Sequence, residues 1–260
     1  MFKQIKIGFS AYGKATKFIS ANKLSGFYLL PLVINVLLFM VTMSIAGFLT
    51  EEVTNWCMVN LGLDKGGVYY ESVGAILWWF FYIIIKLVSW IILHFISGAT
   101  MLIVLSPVLA YLSDRTSQIL SGKKYPFDAT IFAKNVIRGV VIASRNMILQ
   151  LLFMLLLFAF SLIPFIGWLS PFLLFIIGAY YYGFSFIDYT CERKQLKLKE
   201  SIHFMRNNKG LVIANGAVFS GVIMIPWVGS LLAGFVAIIS VVAATISVYE
   251  AEEKKLLKHG

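Results

Sequence analysis

The segments Ile163-Pro164-Phe165-Ile166-Gly167 and Ile225-Pro226-Trp227-Val228-Gly229 each divide a long apolar stretch into two arms. The arms before the turns are residues 147–163 and 211–225, 17 and 15 residues long; those after them, 168–187 and 230–248, have 20 and 19. A helix rises about 1.5 Å per residue, so the arm 211–225 reaches only ~22 Å, short of a hydrocarbon core about 30 Å thick. Two similar helical hairpins that stop part-way through a bilayer point to a membrane protein built around a polar path. Plain spanning helices have no need of them. Pro164, Gly167, Pro226 and Gly229 are the expected turn residues.

The chain has 260 residues, of which 60% are hydrophobic and 13% charged, with a mean hydropathy of +0.86. So few charges cannot cover the surface of a soluble domain this large, which places the chain among polytopic membrane proteins. The net charge of +10 would suggest nucleic acid in a soluble protein. Here 20 of the 22 Lys and Arg lie in the N-terminal arm, region 106–146, loop 188–210 and the tail, leaving out Lys65 and Lys86. Basic residues in short loops beside apolar segments set topology, so no nucleic-acid partner is expected and both termini are placed in the cytoplasm. Two spans with two hairpins opening to one side satisfy this rule, and so do six complete spans.

Cys57 and Cys191 are read as loop residues on opposite sides of the membrane, unable to pair, and His94, His203 and His259 are scattered. Neither set has metal-ligand spacing, so no metal or cofactor is expected. The first apolar run, 27–49, is 23 residues, too long for a cleaved signal peptide and long enough to span. The sequence shows no Ser/His/Asp set, no paired carboxylates at membrane depth and no nucleotide motif, so an enzyme is not expected.

The predicted fold is an all-α integral membrane domain over 1–260. It has an N-terminal arm (1–25), span one (27–49), span two (73–105), cytoplasmic or interfacial helices (106–146), hairpin one (147–187), hairpin two (211–248) and a charged tail (249–260). In the arm, Phe2, Ile5, Phe9, Tyr12 and Ile19 recur among five lysines. Either the arm is a basic amphipathic helix on the membrane surface, or it is a basic leader that only sets topology. Span two, 33 residues, is ~50 Å if helical throughout; it must tilt, kink near Gly98 or protrude. Small residues fill the hairpins, among them Gly178, Ala179, Gly183, Ala214, Gly216 and Gly221, as close helix packing requires.

From the first span onward the sequence resembles the CysZ sulfate permeases and the wider etoposide-induced membrane-protein family. Leu24, Phe27, Pro31, Leu32 and Asn35 match the start of that family's first span. Ser106-Pro107 followed by Leu112-Ser113-Asp114, the turn 163–167, Asp188-Tyr189, the stretch from Phe204 to Lys209, and Pro226 match further motifs in order, over residues 20–248. The resemblance implies an inner-membrane homo-oligomer, subunits inserted in opposite orientations, and sulfate uptake feeding cysteine synthesis. The one-sided charge argues against dual orientation for this chain. Permeases of the family carry Gly-Leu/Ile-Arg-Arg before the first span, and here Lys23-Leu24-Ser25-Gly26 stands instead. A guanidinium fork suits a tetrahedral oxyanion better than a lone ammonium. Lys23, Ser25, Gly26 and Asn35 are the anion-binding candidates that remain.

Lys86 and His94 share one helical face with Trp90 between them. They either line a cationic pathway, as positive rings do in anion pores, or Lys86 snorkels or meets a carboxylate while His94 is simply hydrogen-bonded. Arg138 and Arg145, also on one face, either funnel an anion to a cytoplasmic mouth or bind anionic lipid headgroups. Asp188 reads as a cap or ion-pair partner, and Tyr180-Tyr181-Tyr182 as hydrogen-bonding or interfacial residues. The expected function is a permease or channel for sulfate or a related oxyanion. The alternative is a non-transport membrane scaffold of the same fold.

Overall fold

The computed structural model describes residues 1–60, 75–123, 128–161, 166–225 and 228–257, which form helices and turns with no strand among them. The helices are α1 (Phe2–Ala21), α2 (Leu29–Asn60), α3 (Ala75–Val104), α4 (Ser106–Ser121), α5 (Ala129–Ser161), α6 (Ile166–Arg193), α7 (Leu198–Asn207), α8 (Lys209–Ile223) and α9 (Val228–Glu253), with a 3-10 turn at Ser25–Tyr28. A helix bonds its backbone polar groups internally, which is what lets so apolar a chain enter lipid. Pro31 and Pro107 sit in first turns, where no intrahelical N–H bond is lost.

Among the described residues, four helices are long and apolar enough to cross a membrane: Ser25–Cys57, Ala129–Leu157, Leu169–Arg193 and Leu231–Glu253. Both arms of hairpin one therefore have spanning length. The short arm is α8, whose 15 residues reach ~22 Å. Residues 129–145, read from sequence as a separate interfacial helix, are continuous with the first hairpin arm in α5. No proline lies between 129 and 161, and Arg145 and Asn146 change the hydropathy without costing a backbone bond. Span one likewise runs on past 49, through Glu51 and Glu52, to Asn60. Cys57 and Cys191, expected on loops, both lie in helices and are free. Pro164 and Pro226 fall outside the described residues.

The chain divides into two compact units, one of residues 36–98 and the other of 1–35 with 99–260. In the smaller unit, Met40, Phe48, Trp56, Trp79, Phe80 and Ile83 are exposed, an outward apolar face suited to lipid. Trp78 stacks on Tyr82 with centroids 5.0 Å apart.

In the larger unit α6 is central, packed by α4, α5, α8 and α9. Its Phe184, Phe186 and Ile187 are buried with Leu109, Leu112, Phe219 and Val241. Phe219 meets the Tyr182 and Phe186 rings edge-on, at 4.7 and 5.3 Å. At the α6–α8 crossing the two backbones touch. A Cβ added at Gly183 would sit 1.9 Å from the Val212 carbonyl oxygen, and one at Gly216 1.8 Å from that of Ala179. The α8–α9 hairpin closes the same way, since a Cβ on Gly229 would lie 2.4 Å from the Val222 carbonyl oxygen.

The α1 helix packs on α8 and α9 through Gln4, Ile7, Gly8, Ala11, Ala15 and Ile19. The arm is a helix, and the stripe that packs mixes the small Gly8, Ala11 and Ala15 with Gln4, Ile7 and Ile19. Phe2 and Phe9 remain outside with Lys3, Lys6 and Lys17, and at the middle of the contact a small residue sets the approach. Gly8 shows it: a Cβ there would lie 2.6 Å from Ala214 Cβ.

Polar side chains cross-link the interior, as they do where lipid gives helices no hydrophobic reason to associate. The Thr245 hydroxyl meets those of Ser113 and Thr190, each at 3.1 Å, joining α4, α6 and α9. The Asn215 amide donates to Ser247 Oγ at 2.9 Å. The Tyr12 hydroxyl donates to the Asn215 carbonyl and lies 3.0 Å from Ser240 Oγ. Burial pushes the Tyr12 phenol well above its ordinary range, with the Ser240 contact opposing. The protonated phenol is thus favoured by folding, and its contribution holds below about pH 10 and fades as an unfolded phenol would ionise. Tyr12→Phe is expected to cost about 1–2 kcal/mol, read as a lower thermal midpoint in detergent at neutral pH. An unchanged midpoint would show that this contact does not hold α1 down.

Candidate functional site: a basic cavity beside hairpin one

The structure spends much of the positive charge internally. Arg138 on α5 forms a fork with Asp188 on α6, Nε to Oδ2 and Nη2 to Oδ1, both at 3.0 Å. Its Nη2 also donates to Ser201 Oγ at 2.6 Å, and its Nη1 to the Leu196 carbonyl. One guanidinium thereby ties α5, α6, the 194–197 turn and α7. The Asp188 side chain is 3% exposed and that of Arg138 18%. Gly139 makes room, since a Cβ there would lie 2.8 Å from the Tyr189 ring. Arg193 pairs with Asp114 at 2.9 Å, and Lys194 and Lys14 pair with Glu252 and Glu250. Asp188 is thus an ion-pair partner of a residue fifty positions away, not of neighbouring Arg193 or Lys194.

Arg145, Arg206 and Lys209 are arranged differently. They line a cavity of about 600 Å³ together with Tyr180 and Tyr181, and none of its lining residues is a carboxylate. Arg145 comes from α5, the tyrosines from α6, Arg206 from the last turn of α7 and Lys209 from the first residue of α8. The Arg145 guanidinium lies 5.6 Å over the Phe184 ring and donates to Asn146 Oδ1 at 3.3 Å. The Asn146 amide in turn donates to Ser185 Oγ at 2.9 Å and to the Tyr181 carbonyl at 3.2 Å, fixing the register that places Arg145 beside the tyrosines. At the α7–α8 junction buried Asn208 accepts from the Gln4 amide at 2.8 Å. This pins the segment carrying Arg206 and Lys209. Such a cluster can hold an anion. Arg145 was legible as a candidate, whereas Arg206 and Lys209 were read as topology-setting charges and as part of the stretch from Phe204 to Lys209 that resembles the family, not as site residues.

A second cavity of about 600 Å³ has mixed charge, with Asp114, Asp128, Glu192 and Glu252 against Lys123, Arg193 and Lys194. Two of these cations are already paired. Lys23, Ser25 and Gly26, in the same unit as the two cavities, are not among the residues that line either of them. Lys23, at a positive φ of 57°, and Ser25 and Gly26 are exposed where α1 meets the 3-10 turn. Asn35 falls in α2 and His94 in α3. Lys86 on α3 is exposed, with Nζ 3.4 Å from the Tyr82 hydroxyl and 5.2 Å from its ring centroid. Gly167 lies in the first turn of α6 and Gly229 in that of α9. Among the described residues no cluster of His, Cys, Asp or Glu is placed to hold a metal.

No curated protein shows significant similarity to the chain. Among known families, the one described as sulfate transporter CysZ/etoposide-induced protein 2.4 matches residues 11–233, from the packed N-terminal helix through the α6–α8 crossing into α9. An all-α chain with helices of spanning length, matched over most of its extent, belongs to the family of the sulfate transporter CysZ and the etoposide-induced protein 2.4.

Proposed function

We propose that the protein lets sulfate or a related small oxyanion cross the bacterial inner membrane to supply sulfur assimilation, working as a homo-oligomer with both termini in the cytoplasm. Membership of a sulfate-transporter family carries this reading. Chemically, a passing dianion needs partners that replace part of its water without holding it fast. A lone ammonium and a hydroxyl grip more weakly than an arginine fork. Lys23 and Ser25, both exposed, with Gly26 and Asn35 following in the chain, are the proposed first contacts. Lys86 and His94 on α3 are proposed to line the path. Arg138 contributes little there, because four of its N–H bonds are already made inside the fold.

Cells from which the gene is deleted are expected to require cysteine or sulfite when sulfate is scarce. The intact gene should restore growth, and Lys23→Ala or Lys86→Ala should restore sulfate uptake only to about one-tenth, the loss of one charge-assisted contact. Unimpaired growth of the deletion strain at low sulfate, with no second uptake route active, would contradict the proposal.

A further inference from the structure

We propose that the basic cavity of Arg145, Arg206 and Lys209 holds the headgroup of an anionic phospholipid, whose acyl chains lie along Phe153, Ile176 and Ile177. Charge favours such a ligand. Three cations converge from three helices onto one space without a lining carboxylate, and neither Arg206 nor Lys209 belongs to an ion pair among the described residues. Lys14, Arg138, Arg193 and Lys194 all do.

The order of residues along the walls favours it too. On α5 the cavity is lined by Arg145 and then, towards the hairpin turn, by Phe153. On α8 it is lined by Lys209 and then Ile213. On α6, running the other way, Ile176 and Ile177 lie nearer the turn than Tyr180 and Tyr181. Arg145, Lys209 and the two tyrosines thus stand towards the loop ends of their helices and Phe153, Ile213, Ile176 and Ile177 towards the turns, while Phe184 at the loop end of α6 lies under the Arg145 guanidinium. A free oxyanion, hydrated on every side, has no use for the apolar half. A molecule with a charged head and a hydrocarbon tail matches both halves, and basic pockets between membrane helices suit such headgroups. Phe153 and its neighbours Leu152, Leu155 and Leu156 are exposed, so the apolar end continues onto a face that lipid would cover. The size is also that of a cavity for a substantial ligand, not for a bare ion.

The inference does not depend on sulfate conduction and is tested by binding. The full-length protein, purified in detergent and stripped of lipid, is titrated with dioleoylphosphatidylglycerol in mixed micelles. Dioleoylphosphatidylcholine and inorganic sulfate form separate arms, and bound lipid is read by native mass spectrometry. Phosphatidylglycerol should be retained, phosphatidylcholine should not, and sulfate should not displace the bound lipid. Arg206→Gln/Lys209→Gln should weaken phosphatidylglycerol binding about thirty-fold, near the effect of two basic residues at a lipid surface. Both side chains are exposed, so the variant should fold, as a normal elution profile will verify. Lys199→Gln/Lys254→Gln removes the same charge from exposed positions outside the cavity and should bind like the parent. Equal retention of the two lipids, displacement by sulfate, or equal losses in the two double variants would overturn the assignment.

Discussion

Gly216→Leu is expected to leave no folded, monodisperse protein in detergent, whereas Gly13→Leu should elute as the parent does. The difference lies in what a side chain would meet. At Gly216 even a methyl group would sit 1.8 Å from the Ala179 carbonyl oxygen and 2.4 Å from the Gly183 nitrogen. Neither is the tip of a flexible side chain, so α6 and α8 would have to separate by more than an ångström. Because α8 also packs on α1 and α9, the shift would open those contacts and strain the Asn215–Ser247 bond as well. Overpacking in tight cores costs about 1–3 kcal/mol even where side chains can adjust. With backbone as the obstacle, Gly216→Ala should fall at or beyond the upper end, and the larger side chain should exceed what a marginally stable fold tolerates. At Gly13 an added Cβ has nothing within 4 Å, and alanine there should be neutral or gain about 0.5–1 kcal/mol from the less flexible unfolded chain. Elution profile and thermal midpoint read both; a Gly216→Ala midpoint equal to the parent's would show that the crossing is not a close one.

Asp188→Ala is expected to destabilise the protein by about 3–5 kcal/mol, because it strands the mostly buried Arg138 guanidinium. Arg138→Ala should cost a similar amount by stranding a carboxylate that is 3% exposed. The pair Arg138→Ala/Asp188→Ala should cost clearly less than the sum of the two single changes, since neither charge is then left alone. Arg138→Lys should not rescue, because an ammonium cannot reproduce a fork to Asp188 together with bonds to Ser201 and Leu196. Thermal unfolding of the four variants in one detergent measures this cycle. Additive losses would mean that the two residues act independently and that the fork does not tie α5 to α6.

The parts of this molecule legible from sequence were those set by composition and local pattern. Sixty per cent apolar residues and runs of spanning length gave an all-α membrane protein, and small residues at 183 and 216 marked where helices touch. Helix ends were less legible, because an apolar run stops at the first polar residue while a helix stops only when its backbone bonds do. Hence span one continues through Glu51 and Glu52, and residues 129–145 fuse with the arm that follows. Least legible was anything that depends on partners distant in sequence. Arg138 and Arg145 look alike on one face of α5. One finds Asp188 and is neutralised; the other, seven residues on, meets Arg206 and Lys209 some sixty positions away. Spacing along a helix carries no information about which of the two a charge will meet.

Sulfate permeation is most directly tested with the purified protein reconstituted into liposomes and labelled sulfate supplied outside. Accumulation well above that in protein-free liposomes, reduced by Lys23→Ala and by Lys86→Ala in protein of parental elution profile, is the expected result. Flux no greater than in protein-free liposomes, from protein shown to be folded and inserted, would contradict it.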